Sequence, residues 1–291
     1  MPQPDQMFNF VHCDVFTANP YSGNSLAVFM DRSNLSAKQM LCITQELRHF
    51  ETIFLKEDSG QLTARIFDLI EELPFAGHPI IGAACVLHRQ AKTFEKCVWE
   101  FGLESGRTVR VVTHYQDGRY IGTLDQGRPE MVCLLEEHHK SAIADIFSLA
   151  SNDLADLPLE VISTGLKYLV VPVKGGLETA CITIPDLEQK LEALGAAFAY
   201  LFDVNSFEGR HWNNDGIMED IATGSAAGVI GAYALKHGLV TSNQSFILRQ
   251  GHFMGRPSEI IVTVSGIPEN VKSVTVAGAV AFVGHGEVIA P

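Results

Sequence analysis

At 291 residues, with 46% hydrophobic and 19% charged positions, the chain can bury a sizeable core. It fits one large domain or two of about 145 residues, and this composition excludes disorder as the main state. Acidic residues outnumber basic ones 34 to 21, for a formal charge of −13. The basic residues are scattered, so the basic face that nucleic-acid binding requires is absent.

The six cysteines, Cys13, Cys42, Cys85, Cys97, Cys133 and Cys181, form no C-x-x-C pair. Neither a zinc knuckle nor a redox dithiol is therefore expected. Cys42 and Cys85 sit in helical patterns and read as small core residues. Residues 1–5 lack the basic start and apolar run of a secretion signal, and no 18-residue apolar stretch marks a membrane span. The expectation is a cytoplasmic protein.

In chain order, residues 8–16 alternate and are rich in β-formers, which predicts a strand, followed by a turn at 19–24 and a second strand at 25–30. Ser36 reads as the cap of a helix whose inner face is Met40, Ile43, Thr44 and Leu47. Residues 49–55 return as a strand that carries Glu51 between Phe50 and Ile53, an unusual place for a carboxylate. From pattern alone, an inward and an outward Glu51 are evenly matched. Strands follow at 62–67, 97–101, 107–112 and 120–124, then a linker at 125–130. Beyond it the pattern predicts a helix at 134–149, a strand at 165–173, a helix at 186–198 and a strand at 199–204. Residues 209–216 read as a polar stretch with one aromatic, Trp212. Strands close the chain at 246–250, 259–265 and 273–283.

Two stretches stand apart. Glu72-Leu73-Pro74-Phe75-Ala76-Gly77-His78-Pro79 and Glu219-Asp220-Ile221-Ala222-Thr223-Gly224-Ser225 each begin acidic, reach a glycine and run into small apolar residues. The reading is a tight turn feeding a helix buried on all sides, twice, with Pro79 at a first helical position and Ser225 as an N-cap. The free N–H groups of two such helices would suit an anion. Gly77 and Gly224 lie 147 positions apart (224 minus 77), and the spacing Gly102-x-x-x-Gly106-Arg107 recurs as Gly251-x-x-x-Gly255-Arg256 at an offset of 149 (251 minus 102). Paired offsets of about half the chain predict two similar α+β domains, 1–128 and 129–291, related by pseudo-twofold symmetry. The last strand has no clear counterpart in the first half and is a candidate to return to the first domain. Strands outnumber helices in each half, so a curved sheet wrapped around the apolar helix is the economical packing.

No nucleotide loop, G-x-S-x-G elbow or metal-ligand spacing is present. The titratable groups beside the glycine turns are Glu51, His78, Glu219, Asp220 and Ser225, a set suited to proton transfer on an anionic substrate with no cofactor and no metal.

These motifs resemble the PhzF family of phenazine-biosynthesis isomerase-like proteins: Asp14-Val15-Phe16-Thr17, Gly23-Asn24-Ser25, Glu51-Thr52-Ile53-Phe54, Leu73-Pro74-Phe75-Ala76-Gly77-His78-Pro79, Glu219-Asp220-Ile221-Ala222-Thr223-Gly224-Ser225-Ala226 and Gly251-His252-Phe253-Met254-Gly255-Arg256. The resemblance spans essentially the whole chain. It implies the diaminopimelate epimerase-like fold, with two pseudo-symmetric domains, each a mixed barrel-like sheet around a central helix, and an active site in the cleft between them. It implies a cofactor-independent isomerase, usually a homodimer, acting on a small carboxylate-bearing metabolite. Its catalytic residues fall on Glu51, His78 and Asp220. Gly77, Gly224 and Ser225 fall in the substrate pocket.

In the related diaminopimelate epimerases and proline racemases a catalytic cysteine precedes each turn glycine. Here those positions are Ala76 and Thr223, so a two-thiol mechanism is unavailable. The sequence also departs from the PhzF pattern at Phe67-Asp68-Leu69, at Trp212-Asn213-Asn214 and at Ile221. Asp68 would disfavour a strongly anionic substrate if it pointed into the site. The alternative to an isomerase is a non-catalytic binding or interaction protein that kept the pocket.

Overall fold

The computed structural model describes residues 6–291; residues 1–5, read above as lacking a secretion signal, lie outside the described residues. The strands and helices are β1 (Met7–Val15), β2 (Asn24–Phe29), α1 (Ala37–Leu47), β3 (Glu51–Asp58), β4 (Gln61–Asp68), β5 (Glu72–Leu73), α2 (Gly77–Gln90), β6 (Cys97–Leu103), β7 (Thr108–Gln116) and β8 (Arg119–Gly127). They continue with β9 (Glu130–Leu134), α3 (His139–Ile146), β10 (Glu160–Ser163), β11 (Lys167–Val173), α4 (Leu187–Ala193), β12 (Phe198–Asp203), β13 (Glu208–Trp212), β14 (Glu219–Asp220), α5 (Gly224–Lys236), β15 (Ser245–Gln250), β16 (Ser258–Ile267) and β17 (Asn270–Ile289). Among the described residues no helix is long and apolar enough to cross a membrane.

The chain divides into two units. The first joins Met1–Leu124 to Ala277–Pro291, and the second is Asp125–Val276. The second unit begins at 125 where 129 was expected, and the end of the chain joins the first unit, the return for which the last strand was a candidate. Hydrogen bonds account for both. Gln126 Nε2 donates to Gly224 O at 2.8 Å and Ser273 Oγ to Asp125 Oδ1 at 2.8 Å, while Phe282 through Ile289 pair with β1. The expected linker at 125–130 is accordingly strand as far as Gly127, with β9 beginning at Glu130.

In the first unit β1 pairs antiparallel with β2, β2 parallel with β3, β3 antiparallel with β4, β4 parallel with β6, and β6 and β7 antiparallel with their successors. β17 flanks β1 and also pairs with β8, which closes a mixed eight-strand barrel. α2 lies against β1, β2, β3, β6 and β7 and is buried from Gly77 through Val86. Its small residues are a packing requirement, since a Cβ on Gly82 would collide with Leu26 and press on Val15. The other face of the sheet is covered by α1, which buries Met40 and Ile43 against Phe29, Phe54 and Phe67. Strands covered on both faces read as nearly continuous apolar runs, as β2 and β3 do. α1 starts as expected from Ser36: its Oγ accepts from Gln39 N at 3.3 Å while Gln39 Oε1 accepts from Ser36 N at 3.1 Å, a reciprocal cap.

The second unit repeats this order. β10–β11 are antiparallel, β11–β12 parallel, β12–β13 antiparallel, β13–β15 parallel and β15–β16 antiparallel. α5, apolar nearly all round, packs on β10, β11 and β16. A Cβ on Gly231 would press into Val262.

The repeat extends to an ion-pair clamp that holds each glycine turn. Arg65 on β4 makes a two-pronged bond to Glu72 on β5, with its Nε 2.7 Å from Glu72 Oε1, and lies over the Phe67 ring. Arg210 on β13 does the same to Glu219 on β14, at 2.8 and 2.7 Å, and lies over Trp212. Each glutamate sits five residues before its turn glycine. The acidic residue that begins each motif is thus a strut for its turn.

Several elements differ from their sequence reading. The expected helix at 134–149 shrinks to α3, because the apolar residues before it enter β9 and pair with β10. The helix expected at 186–198 ends at Ala193, since Gly195 adopts φ 79° and Phe198 opens β12. The polar stretch at 209–216 begins inside β13. Pro79 is the third residue of α2, and Cys42 is exposed.

At the C-terminal end of α5, Glu160 on β10 takes a bond from Lys236 and one from His237 Nε2 at 3.0 Å. Burial alone would raise the Glu160 carboxyl, but its bonds to His237 and Lys236 outweigh this and hold it below the usual carboxylate range. A depressed folded-state value contributes stability above the unfolded value, near 4.5, and this stability is lost as pH falls through the folded value. Glu160→Gln is expected to cost about 1.5–3 kcal/mol at pH 7 and less at pH 3, as urea titrations at the two pH values would read. An equal loss at both pH values would contradict the assignment.

Candidate active site

Glu51 opens β3 opposite Asp68 and next to Leu26 of β2. With Ile53 and Leu55 it lies on the inward face, 8% exposed. His78, the second residue of α2, is 5% exposed, and its Nδ1 stands 3.2 Å from Glu51 Oε2. The structure therefore decides the Glu51 orientation inward and joins two predicted residues in one buried acid–base pair. The contact is one of ion-pair distance, and Nε2 is the ring's other proton site.

Gly77 opens α2 with an ordinary negative φ, and a Cβ there would meet only Leu124, at 3.7 Å. Neither backbone strain nor the protein's own packing demands a glycine at that position. Ala76 precedes it and has no side chain to cap the helix.

In the second unit Asp220, on β14, pairs with His211 on β13. Thr223 Oγ1 donates to Asp220 Oδ2 at 2.6 Å, and Ala222 N–H approaches Oδ1 at 3.3 Å. Gly224 opens α5, and its carbonyl accepts from Gln126. Ser225 does not cap this helix as expected. It lies one residue inside it, and its hydroxyl meets Tyr168 Oη at 2.8 Å. Thr223 occupies the cap position but turns its hydroxyl to Asp220, so neither helix start is closed by its own cap residue. Open N–H groups at a helix start suit an anionic ligand.

His211 is buried behind Asp220, with Nδ1 3.0 Å from Ala199 O. A carbonyl only accepts, so Nδ1 carries the proton. Burial pushes the imidazole below its ordinary value despite the Asp220 charge, so the ring is neutral at pH 7. Asp68 does not reach towards a ligand. Its Oδ1 accepts from Ile70 N and Glu71 N at 2.7 and 2.6 Å and shapes the β4–β5 turn.

The buried thiols offer no substitute for the missing cysteines. Burial pushes Cys13 and Cys85 well above the ordinary thiol value, so neither is a thiolate at neutral pH. Among the described residues no cluster of three or more His, Cys, Asp or Glu side chains is placed to hold a metal ion. Sequence reading missed the two arginine struts and the groups packed behind Asp220. Arg65-Ile66-Phe67 and Arg210-His211-Trp212 repeat at an offset of 145 (210 minus 65), a signal that would have found the struts.

The PhzC-PhzF family, described as phenazine biosynthesis-like protein, matches residues 13–286. The chain is 30% identical over 288 residues to the trans-2,3-dihydro-3-hydroxyanthranilate isomerase of Pseudomonas aeruginosa, covering 94% of this chain and 96% of that one. A solved structure named as a predicted epimerase of Pseudomonas aeruginosa superimposes with a TM-score of 0.88 at 41% identity, covering 97% of this chain and 99% of that one. The fold is shared more distantly, at a TM-score of 0.60 and 15% identity, with a hydroxyproline epimerase of Agrobacterium vitis, over 97% and 92% of the two chains. Two pseudo-symmetric units of mixed sheet around a central helix are thus the diaminopimelate epimerase-like fold.

Proposed function

Because the chain belongs to the PhzC-PhzF family and is an isomerase of that family, we propose that it moves a proton on a small carboxylate-bearing metabolite by acid–base catalysis, with no cofactor. The observation that carries this reading is the Glu51–His78 contact, a carboxylate and an imidazole 3.2 Å apart, both more than nine-tenths buried, at the start of a helix. A buried base beside a second proton site, at a helix start that no cap side chain closes, supplies what proton abstraction next to an unsaturated or carboxyl-bearing carbon needs.

In this reading Glu51 removes the proton and returns it at another carbon, His78 orients the carboxylate and shuttles the proton, and Asp220 is a further proton-handling group. The N–H groups at Gly77 and Gly224 and the hydroxyl of Ser225 bind the substrate. A glycine at position 77 that packing does not require fits close approach of a ligand to the backbone. Racemisation by two thiols is not open to this chain, with Ala76 and Thr223 at the two positions.

The test is hydrogen exchange. Purified protein treated with a chelator is incubated in D₂O with trans-2,3-dihydro-3-hydroxyanthranilate and with smaller carboxylates carrying an activated C–H. Loss of one C–H resonance with formation of an isomer, unaffected by the chelator, is the expected result. Binding without exchange, or exchange abolished by chelation, would contradict the proposal.

A further inference from the structure

Behind Asp220 lies a hydrogen-bond chain whose direction is fully determined. Gln250, at the end of β15, is completely buried. Its Nε2 donates to Asp220 O at 2.7 Å and to Thr223 Oγ1 at 2.9 Å. Its Oε1 accepts from Thr223 N at 3.0 Å and from Tyr200 Oη at 3.0 Å. Both amide hydrogens and both lone pairs of Oε1 are used. The assignment of oxygen and nitrogen is also forced. Reversing the amide would set its NH₂ against the Thr223 N–H and its oxygen against the Asp220 carbonyl, leaving two buried backbone groups unmatched.

This fixes the Thr223 hydroxyl. Its oxygen receives an N–H from Gln250, so its own proton goes to the acceptor at 2.6 Å, Asp220 Oδ2. The polarity runs one way, from Gln250 through Thr223 to Asp220. At the far end, burial pushes the Tyr200 phenol well above its ordinary value, so it stays a donor into Gln250.

We infer that Thr223 and Gln250 are positioning residues that commit Asp220 Oδ2 to an acceptor role and fix the rotamer in which Asp220 meets its ligand. The inference rests on the reading of Asp220 as a proton-handling group. It gives a task to the hydroxyl at the position where the thiol epimerases carry a catalytic cysteine: here that position faces the carboxylate and sets its rotamer. The two positions that carry this chain differ in the first unit. The residue before Gly102, which corresponds to Gln250, is the buried apolar Phe101, and Ala76 corresponds to Thr223. The two turns are therefore built differently, with a buried carboxylate–imidazole pair beside one and a clamped carboxylate beside the other.

The experiment compares wild type with Thr223→Val, Thr223→Ala and Thr223→Ser. Crystal structures give the Asp220 rotamer, and deuterium uptake into trans-2,3-dihydro-3-hydroxyanthranilate gives kcat and KM separately. Losing one bond to a charged group should lower kcat about 10- to 100-fold in Thr223→Val and Thr223→Ala. KM should stay within about 3-fold, since substrate affinity is not at stake. The carboxylate should turn by more than about 30° once Oδ2 is released, and Thr223→Ser should restore both rotamer and rate. Asp220 in its original rotamer in Thr223→Val, with kcat undiminished, would overturn the inference. If wild type exchanges no deuterium, the isomerase reading fails by itself, and the rotamer in Thr223→Val against Thr223→Ser still decides the donor chain.

Discussion

Glu51→Gln is expected to fold, to bind ligand and to lose turnover by at least about 10²-fold, with general acid–base groups typically contributing 10²–10⁴. The change is nearly isosteric and leaves a polar atom where the carboxylate oxygen now stands 3.2 Å from His78 Nδ1. What it removes is the ability to take up a proton. Because the site is buried, water is poorly placed to replace the base, so little residual rate should remain. The loss should fall on kcat with KM little changed, the pattern of an interaction made in the transition state. Thermal unfolding should stay close to wild type. Undiminished turnover in Glu51→Gln would remove Glu51 from the catalytic role, whatever its burial.

Arg210→Ala should be the most destabilising of the simple truncations near the second turn, at about 3–5 kcal/mol. Its guanidinium holds Glu219 through two bonds and also donates to Leu177 O at 2.5 Å and Ala180 O at 3.1 Å. Both side chains of the pair are nearly inaccessible, at 9% and 5%. Truncation therefore strands a buried carboxylate and two backbone carbonyls together. For a unit of roughly 150 residues this is a fall in Tm of roughly 6–20 °C. Arg210→Lys should not rescue, since an ammonium cannot make the planar two-pronged bond. The equivalent Arg65→Ala should cost markedly less, because Glu72 is more exposed and water can replace the lost partner. Calorimetry of the two variants side by side checks both magnitude and order. A larger loss at Arg65 would contradict the assignment.

What the sequence made legible was what repeats or is periodic. The two all-apolar runs after Gly77 and Gly224 have one economical burial, inside a sheet, and they are α2 and α5. The Gly106 and Gly255 markers are left-handed turn residues, with φ of 78° and 69°, after β6 and beside β15, so their recurrence reports a real backbone requirement. Glu51 and His78 could be named from motif resemblance, but pattern alone left the direction of Glu51 open, because alternation tells faces apart without telling which is inside.

Other features were hidden for reasons of physics. β9 and β10 are short, and their pairing with each other is non-local, so no local period marks them. Ser225 looked like a cap because a serine after a glycine satisfies the local rule, yet Tyr168, far away in sequence, claims its hydroxyl. Thr223, Gln250 and Tyr200 are joined by bonds of the Gln250 side chain across 27 and 50 positions, which no propensity or spacing encodes. Asp68 shows the converse, a carboxylate beside the motif that the backbone N–H groups of its own turn engage.

The most direct test of the central claim follows the transferred hydrogen. A substrate labelled with deuterium at the carbon that loses hydrogen is turned over in ordinary water by chelator-treated protein, and the label is located in the product by NMR. A buried Glu51–His78 pair that removes and returns the proton predicts that the label leaves its original carbon and appears partly at the receiving carbon and partly in solvent. A product that retains all of its label at the original carbon would contradict the account.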